Sequence, residues 1–208
     1  MIGDKLTYHS NFKNLNTKII SKLQHQFQRR KRLCIAIGGE SGSGKTSLAY
    51  TLQLDIEKIL GLKGFIFQAD DYFYLPPKDN HNKRLKDITK VGPLEVNLKL
   101  LDTHLLSFIN ATQIKKPLVD YSANAIKEET INSENFNFCI VEGTYTMLLK
   151  HPMFKLFIED SFITTKKNRL KRARDIMNDF NEKVLKIEHN IIKTQISHAD
   201  MVIKNNTY

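Results

Sequence analysis

The feature that most constrains this chain is a glycine-rich turn that directly follows a short apolar run. The run covers residues 33–38, and the turn reads Gly-Glu-Ser-Gly-Ser-Gly-Lys-Thr-Ser over residues 39–47. An apolar-periodic segment follows, so the order is strand, glycine loop and helix. This order and spacing are those of the P-loop motif G-x-x-x-x-G-K-[ST], which binds nucleoside triphosphates.

Each residue type in this loop has a chemical reason. Gly42 and Gly44 let the backbone curl so that successive N–H groups converge on phosphate oxygens. A helix that begins near Lys45 directs its positive dipole end at the same anion. We expect Lys45 to reach the β- and γ-phosphates and the Thr46 hydroxyl to bind Mg²⁺. The residues assigned to nucleotide binding are Gly39, Glu40, Ser41, Gly42, Ser43, Gly44, Lys45, Thr46 and Ser47.

The composition is typical of a soluble globular protein rather than of a membrane protein. The 208 residues are 41% hydrophobic and 26% charged, which predicts a single domain over residues 1–208. No apolar run approaches the ~20 residues that span a bilayer, and the first residues lack the apolar core of a secretory signal. Cys34 and Cys139 lie in apolar runs and are expected to be buried, reduced thiols, which indicates a cytoplasmic setting.

The net charge of +10 raises the alternative of nucleic-acid binding, because a basic surface neutralises phosphates. Its 32 Lys and Arg residues are spread along the chain, and no aromatic-interleaved basic ribbon accompanies them. A basic surface that gathers ATP and an anionic acceptor explains the charge equally well. Nucleic acid is therefore disfavoured as the main partner, and a homo-oligomer is left open.

Strand and helix patterns alternate along the chain. Spacing of four in the apolar residues predicts a helix at 13–30, within an N-terminal region 1–32 that precedes the first strand. Further apolar runs predict strands at 64–69, 136–142, 156–163 and 199–203. This alternation predicts an α/β fold, a P-loop NTPase three-layer α/β/α architecture with about five core parallel strands and an arginine-bearing lid.

Acidic residues follow two of the predicted strands. Asp70 and Asp71 end the second strand, and Glu142 ends the third. Ligands of parallel α/β sheets bind outside the carboxyl ends of strands. We expect one aspartate to face the phosphates, as a general base or a Mg²⁺ ligand, while the other braces the loop. Glu142 is in the Walker-B arrangement and is predicted to order Mg²⁺.

Two stretches are predicted to lie on the acceptor side. Residues 71–93 form a polar, basic and proline-punctuated excursion, expected to be irregular, in which Lys83 and Arg84 are candidates for acceptor contacts. A helix is predicted from Pro93, with a core stripe that begins at Leu94. The extended stretch at 116–122 carries Asp120 and Tyr121 at its tip.

A basic segment near the carboxyl end is predicted to be a lid over the nucleotide, within residues 164–180. Arg169 and Arg172 are three residues apart and therefore share one helical face. Arginine forks bind phosphoryl oxygens, over which charge spreads during transfer. A solvated basic helix face is the alternative interpretation.

With these residues, the chain from about 33 to 203 resembles the uridine kinase and phosphoribulokinase group of P-loop kinases. The resemblance rests on residues 39–46, 68–72, 141–143, 169–172 and 199–203. It implies ATP with Mg²⁺ as phosphoryl donor and a small alcohol as acceptor. It also implies that Asp70 is the base, with Lys45, Arg169 and Arg172 as its catalytic partners. From the residue patterns above, the metal ligands are predicted to be Thr46, Glu142 and Asp70, and the acceptor contacts are predicted to be Asp71, Tyr72, Arg84, Asp120 and Tyr121.

The acceptor is the least determined part of this interpretation. Uridine kinases carry Pro-x-Tyr-Asp-Phe, but this chain has Val119 at the tyrosine position between Pro117 and Asp120. A nucleoside is the first expectation. A pantothenate-like compound, a riboside or a phosphorylated sugar is the alternative acceptor, and a nucleotide-dependent RNA-binding or switch protein is the alternative function.

Overall fold

A computed structural model describes residues 6–172 and 178–204, with the Lys171 and Arg172 side chains outside that description. Seven strands and six α-helices lie in these ranges. The strands are β1 (Leu33–Gly39), β2 (Gly64–Gln68), β3 (Gln113–Asp120), β4 (Ala125–Asn132), β5 (Phe138–Glu142), β6 (Phe154–Glu159) and β7 (Met201–Lys204). The helices are α1 (Lys13–Arg29), α2 (Lys45–Leu60), α3 (Pro77–Lys86), α4 (Leu98–Ile109), α5 (Lys166–Arg172) and α6 (Asp179–Ile192).

A five-stranded sheet in the order β2-β5-β1-β6-β7 forms the centre of the protein. Every pairing within it is parallel, so the predicted core of five parallel strands is confirmed. The register places Ile37 beside Glu142 and Glu142 beside Gln68. The carboxyl ends of β1, β5 and β2 therefore meet at one edge, where the glycine loop and the acidic residues emerge.

Alternate residues of β1 pack on opposite faces of the sheet, because side chains in a strand alternate in direction. Leu33, Ile35 and Ile37 pack with α1 and α2 residues in one buried cluster. Cys34 and Ala36 pack with α4 residues in a second cluster on the other face. These two clusters produce the helix–sheet–helix layering expected from the sequence, and they bury β1 completely.

A separate antiparallel hairpin pairs β3 with β4. The sequence predicts an extended stretch at 116–122, but not its long partner strand. β4 is mostly exposed and alternates weakly between apolar and charged residues, so it lacks the pattern of a buried strand. The hairpin contacts the carboxyl end of β2, where the Val119 N–H donates to Asp71 Oδ1 at 2.9 Å.

The sequence predicts an irregular excursion at 71–93, and this prediction is wrong because α3 lies within it. Polar contacts rather than an apolar stripe hold this helix in place. The Asn80 amide donates to Glu95 Oε1 at 3.1 Å, and Arg84 pairs with the same carboxylate. A sequence pattern based on hydrophobic periodicity does not detect such a helix.

The helix predicted from Pro93 begins later. Pro93 starts a separate 3-10 turn that ends at Glu95, and α4 begins at Leu98 after Asn97, whose side chain accepts from the Leu100 N–H at 3.0 Å. Leu94 is therefore 90% exposed and lies outside the core stripe. Similarly, β6 ends at Glu159, and Ile163 beyond it is 70% exposed. No helix in the described ranges has the length and apolar character needed to cross a membrane.

Candidate active site

The glycine loop connects β1 directly to α2, as the sequence predicts. Gly42 has a φ of +79°, and a Cβ there would lie 2.8 Å from Cγ of Arg169. A side chain at this position is therefore excluded both by backbone conformation and by the helix that covers the loop. Helix α2 begins at Lys45 after Gly44, so its first N–H groups open toward the loop, an arrangement suited to an anion.

The lysine of the loop is held inside it. Lys45 is 8% exposed, and its Nζ donates to the backbone oxygen of Glu40 at 2.7 Å. Ser43 is also buried, whereas Ser41, Thr46 and Ser47 are partly exposed. The residues assigned to nucleotide binding thus form one continuous stretch from the end of β1 to the first turn of α2, and the buried Lys45 ammonium lies within it, as the binding of phosphate oxygens requires.

Thr46 and Glu142 meet across the sheet edge. The Thr46 hydroxyl donates to Glu142 Oε1 at 3.0 Å, and Glu142 is 5% exposed at the end of β5. No group of three or more His, Cys, Asp or Glu residues is placed to hold a metal within the described ranges. Magnesium in nucleotide sites usually takes one or two protein ligands together with phosphates and water. The neighbouring Thr46 hydroxyl and Glu142 carboxylate are therefore suited to bind Mg²⁺ that arrives together with a nucleotide.

The two adjacent aspartates point in different directions. Asp71 is 1% exposed. Its Oδ2 accepts from Lys116 Nζ at 2.9 Å, and its Oδ1 accepts from the Val119 N–H. Asp70 is exposed and lines a cavity. The expectation that Asp71 contacts the acceptor is therefore corrected, because both of its oxygens bind the hairpin.

The expectation that Tyr72 and Asp120 contact the acceptor is also corrected. Tyr72 is 1% exposed, and its hydroxyl lies 2.9 Å from His104 Nδ1 in the core. Burial and the Asp71 charge raise the Tyr72 pKa. The Asp120 carboxylate accepts from Lys127 Nζ at 2.7 Å and from Ser122 and Ala123 in the hairpin turn. These hydrogen bonds, that of Lys127 first, lower the Asp120 pKa.

A cavity of about 590 Å³ adjoins the glycine loop. This volume is within the usual range of small-molecule sites. Its wall combines the loop, the end of β2, helix α3, the hairpin and helix α6. The side chains most relevant to chemistry are those of Ser41, Asp70, Phe73, Arg84, Tyr121, Thr144 and Glu188. Asp70, Arg84 and Tyr121 therefore line the same cavity.

Arg84 is held by two carboxylates. Its Nε and Nη2 donate to the two oxygens of Glu95 at 2.7 and 2.8 Å, and Nη2 also donates to Glu188 Oε1 at 2.9 Å. Burial alone would lower the Arg84 pKa, but the bonds to Glu95 and the Glu188 charge raise it overall. Sequence reasoning missed Glu188 because it lies in a helix with no local motif around it.

The segment predicted as a lid covers the glycine loop. Arg169 is 3% exposed, and its Nη2 donates to the Phe162 carbonyl at 2.6 Å. The Asn168 amide, missed from sequence, donates to the Gly42 carbonyl at 3.0 Å. Helix α5 therefore lies against the loop with one predicted arginine directly above it. The Arg172 side chain is outside the described part of the chain.

Comparison with known proteins identifies the family of this chain. The model of the Phosphoribulokinase / Uridine kinase family matches residues 34–207. A uridine kinase from Mycoplasma pneumoniae is 29% identical over 185 residues, covering 84% of this chain and 85% of the relative.

Two solved structures show the fold alone. A phosphoribulokinase from Rhodobacter spheroides has a TM-score of 0.63 at 14% identity, covering 84% of this chain and 70% of its own. A D-glycerate 3-kinase from Cryptococcus neoformans has a TM-score of 0.62 at 14% identity, covering 93% and 97%. The family model covers most of the sequence, and the glycine loop and nearly all of the parallel sheet lie within the matched region. The chain therefore belongs to the phosphoribulokinase and uridine kinase family of P-loop kinases.

Proposed function

We propose that the protein transfers the γ-phosphoryl group of ATP to a hydroxyl of a nucleoside. The observation that carries this proposal is the position of Asp70. It is an exposed carboxylate at the end of β2, in the wall of a cavity that reaches the glycine loop at Ser41. A carboxylate in that position lies where an alcohol bound next to the terminal phosphate would need its base.

The residues divide the chemistry between them. The loop N–H groups and Lys45 bind the phosphates, and Thr46 and Glu142 would hold Mg²⁺, which neutralises charge on the phosphate oxygens. Asp70 accepts the proton of the acceptor hydroxyl as its oxygen bonds to the γ-phosphorus. The bond to the bridging oxygen breaks, and ADP keeps that electron pair. Arg169, whose side chain lies against the loop at Gly42, would stabilise the charge that spreads over the transferred group.

The charges of the cavity wall favour an uncharged acceptor. Arg84 is already paired with Glu95 and Glu188, so it adds no net positive charge for an acceptor phosphate. The wall also contains the Asp70 carboxylate and the Lys78 ammonium, so it has no surplus of positive charge for an acceptor phosphate. Like charges brought together without compensation oppose binding. This arrangement supports a neutral alcohol over a phosphorylated sugar.

Two aromatic rings support a nucleoside among neutral alcohols. Phe73 and Tyr121 both line the cavity, and aromatic side chains offer flat faces to a base. The similarity to a uridine kinase over 84% of the chain supports the same class. A cytoplasmic setting belongs to this proposal, supported by the two free buried thiols.

An acceptor screen tests the proposal. Purified protein is incubated with ATP and Mg²⁺ and with nucleosides, ribosides, pantothenate-like alcohols or phosphorylated sugars, and ADP release and phosphorylated product are both measured. We expect turnover with nucleosides. Turnover with phosphorylated sugars alone would overturn the acceptor class. ATP-dependent, salt-sensitive RNA binding without any phosphorylated product would instead favour the switch function.

A further inference from the structure

The phosphate-binding loop contains a carboxylate of its own. Glu40 lies between Gly39 and Ser41 within the loop and is only 4% exposed. A negative charge in a loop that must receive a polyanion opposes binding unless another group compensates it. Its position in the motif assigns Glu40 to nucleotide binding. Its negative charge, however, requires an explanation of how the loop can still bind phosphate.

The compensating group comes from helix α6. His189 Nδ1 lies 2.5 Å from Glu40 Oε1, within hydrogen-bonding distance. The Glu40 side chain is 5% exposed and that of His189 is 30% exposed, so water screens the pair only partly. Because an ionised carboxylate can only accept, the imidazole N–H is the donor.

His189 also contacts the segment that leads into the lid helix. Its ring packs edge-on against Phe162, with centroids 5.6 Å apart and planes at 62°. The carbonyl of Phe162 accepts from Arg169 Nη2. The Phe162 ring therefore contacts the imidazole on a second side. This contact fixes the orientation of the hydrogen bond from His189 to the Glu40 carboxylate.

Glu188, the residue before His189, lies on the acceptor side of the site. Glu188 pairs with Arg84 of α3 at 2.9 Å and lines the cavity. Two consecutive side chains of one helix thus contact the donor loop and the acceptor wall. Their separate partners allow a substitution at His189 to leave the Glu188 pair in place.

We infer that His189 is a positioning residue of the donor site, which holds the Glu40 carboxylate away from the phosphates of ATP. The inference rests on the proposed function only in that the loop binds ATP. His189 contacts no phosphate in this role, and it acts through Glu40. Without the imidazole, the Glu40 charge is released within the anion site.

The test compares ATP affinity in a cycle of variants by calorimetry, with Mg²⁺ and without any acceptor. His189→Leu should weaken ATP binding about tenfold or more, because it leaves the buried Glu40 carboxylate without its hydrogen-bond donor. Glu40→Gln should tighten binding, because it removes the charge. The double variant should bind about tenfold more tightly than His189→Leu, since the released charge is absent. A double variant as weak as His189→Leu would overturn the inference.

Two further variants separate positioning from folding. His151→Leu removes a similar pair, His151 Nδ1 to Asp102 Oδ1 at 3.1 Å, outside the candidate site, and should leave ATP affinity unchanged. If His189→Leu does not fold, His189→Gln retains an N–H donor and should show a smaller loss that Glu40→Gln also reverses. In a working kinase assay, the KM for ATP should rise while the KM for the acceptor stays within about twofold, since the Glu188 pair remains.

The outcome is independent of the acceptor screen. ATP titrations need no phosphoryl acceptor, so a failed screen leaves this test intact. Failure of the unmodified protein to bind ATP would instead contradict the proposed function itself. Wild-type affinity in His189→Leu would overturn the positioning role alone.

Discussion

Lys116 Nζ lies 2.9 Å from Asp71 Oδ2, and the two side chains are 3% and 1% exposed. This ion pair joins the hairpin to the end of β2 and fixes the direction of the short turn that carries both aspartates. With Asp71 bound on the hairpin side, its neighbour Asp70 faces the cavity. A structural carboxylate and a candidate base therefore occupy consecutive positions, and each can be tested with the other as its control.

Replacement of Asp70 by Asn should remove catalysis and retain donor binding. Asn preserves the size of the side chain but cannot accept the hydroxyl proton, so kcat should fall by roughly 10²–10⁴-fold. ATP affinity, measured by calorimetry, should stay within about twofold of wild type, because Lys45 and the loop are unchanged. Turnover close to wild type would remove Asp70 from the mechanism.

Lys116→Met should destabilise the protein. The variant leaves the buried Asp71 carboxylate without its ammonium partner, which typically costs about 3 kcal/mol or more. The free energy of unfolding in urea measures this loss. Lys115→Met is the matched control, because Lys115 pairs with Glu128 at 3.6 Å with both side chains more than 60% exposed. Such pairs contribute roughly 0–1 kcal/mol, so equal losses in the two variants would contradict the assigned role of Lys116.

The donor half of the site was predictable from sequence because its parts are close together along the chain. The loop follows β1 without a break, and apolar runs identify the buried strands that bring Glu142 to the same edge. The acceptor half, and the contact of the glycine loop with helix α6, depend on distant pairs. Arg84 and Glu188 are 104 residues apart, and Glu40 and His189 are 149 apart. Neither pair has a local pattern that a single sequence can reveal.

Side-chain direction was the other limit. Asp120 follows an extended stretch, as catalytic acids often do, but Lys127 of the neighbouring strand binds its carboxylate. Tyr72 is adjacent to the acidic pair, yet the turn directs it into the core toward His104. For both residues, the type of side chain and its place in the sequence indicated a functional site. A contact with a residue outside the predicted site gives each of them a structural role instead.

Glu142→Gln should raise the Mg²⁺ requirement of the kinase. The amide has lost the charge that attracts the cation, so the Mg²⁺ concentration for half-maximal rate should rise roughly tenfold. A titration of rate against free Mg²⁺ at fixed ATP measures the shift. Glu159→Gln is the control, since Glu159 also ends a parallel strand but pairs with Lys204 at 3.7 Å on the surface. An identical Mg²⁺ curve for Glu142→Gln and wild type would exclude Glu142 from the metal site.

Acid should weaken the hairpin turn through Asp120. Hydrogen bonds from Lys127, Ala123 and Ser122 lower its pKa below the ordinary value of 3.8, so the folded state binds a proton less readily than the unfolded state. The stabilisation is therefore fully present above pH 3.8 and is lost as pH falls from there through the folded-state pKa. Thermal unfolding followed between about pH 5 and pH 2 should show a shallower acid loss in Asp120→Asn than in wild type. Lys127→Gln should lie between them, because the Ser122 and Ala123 bonds remain, and parallel curves for all three proteins would contradict this role.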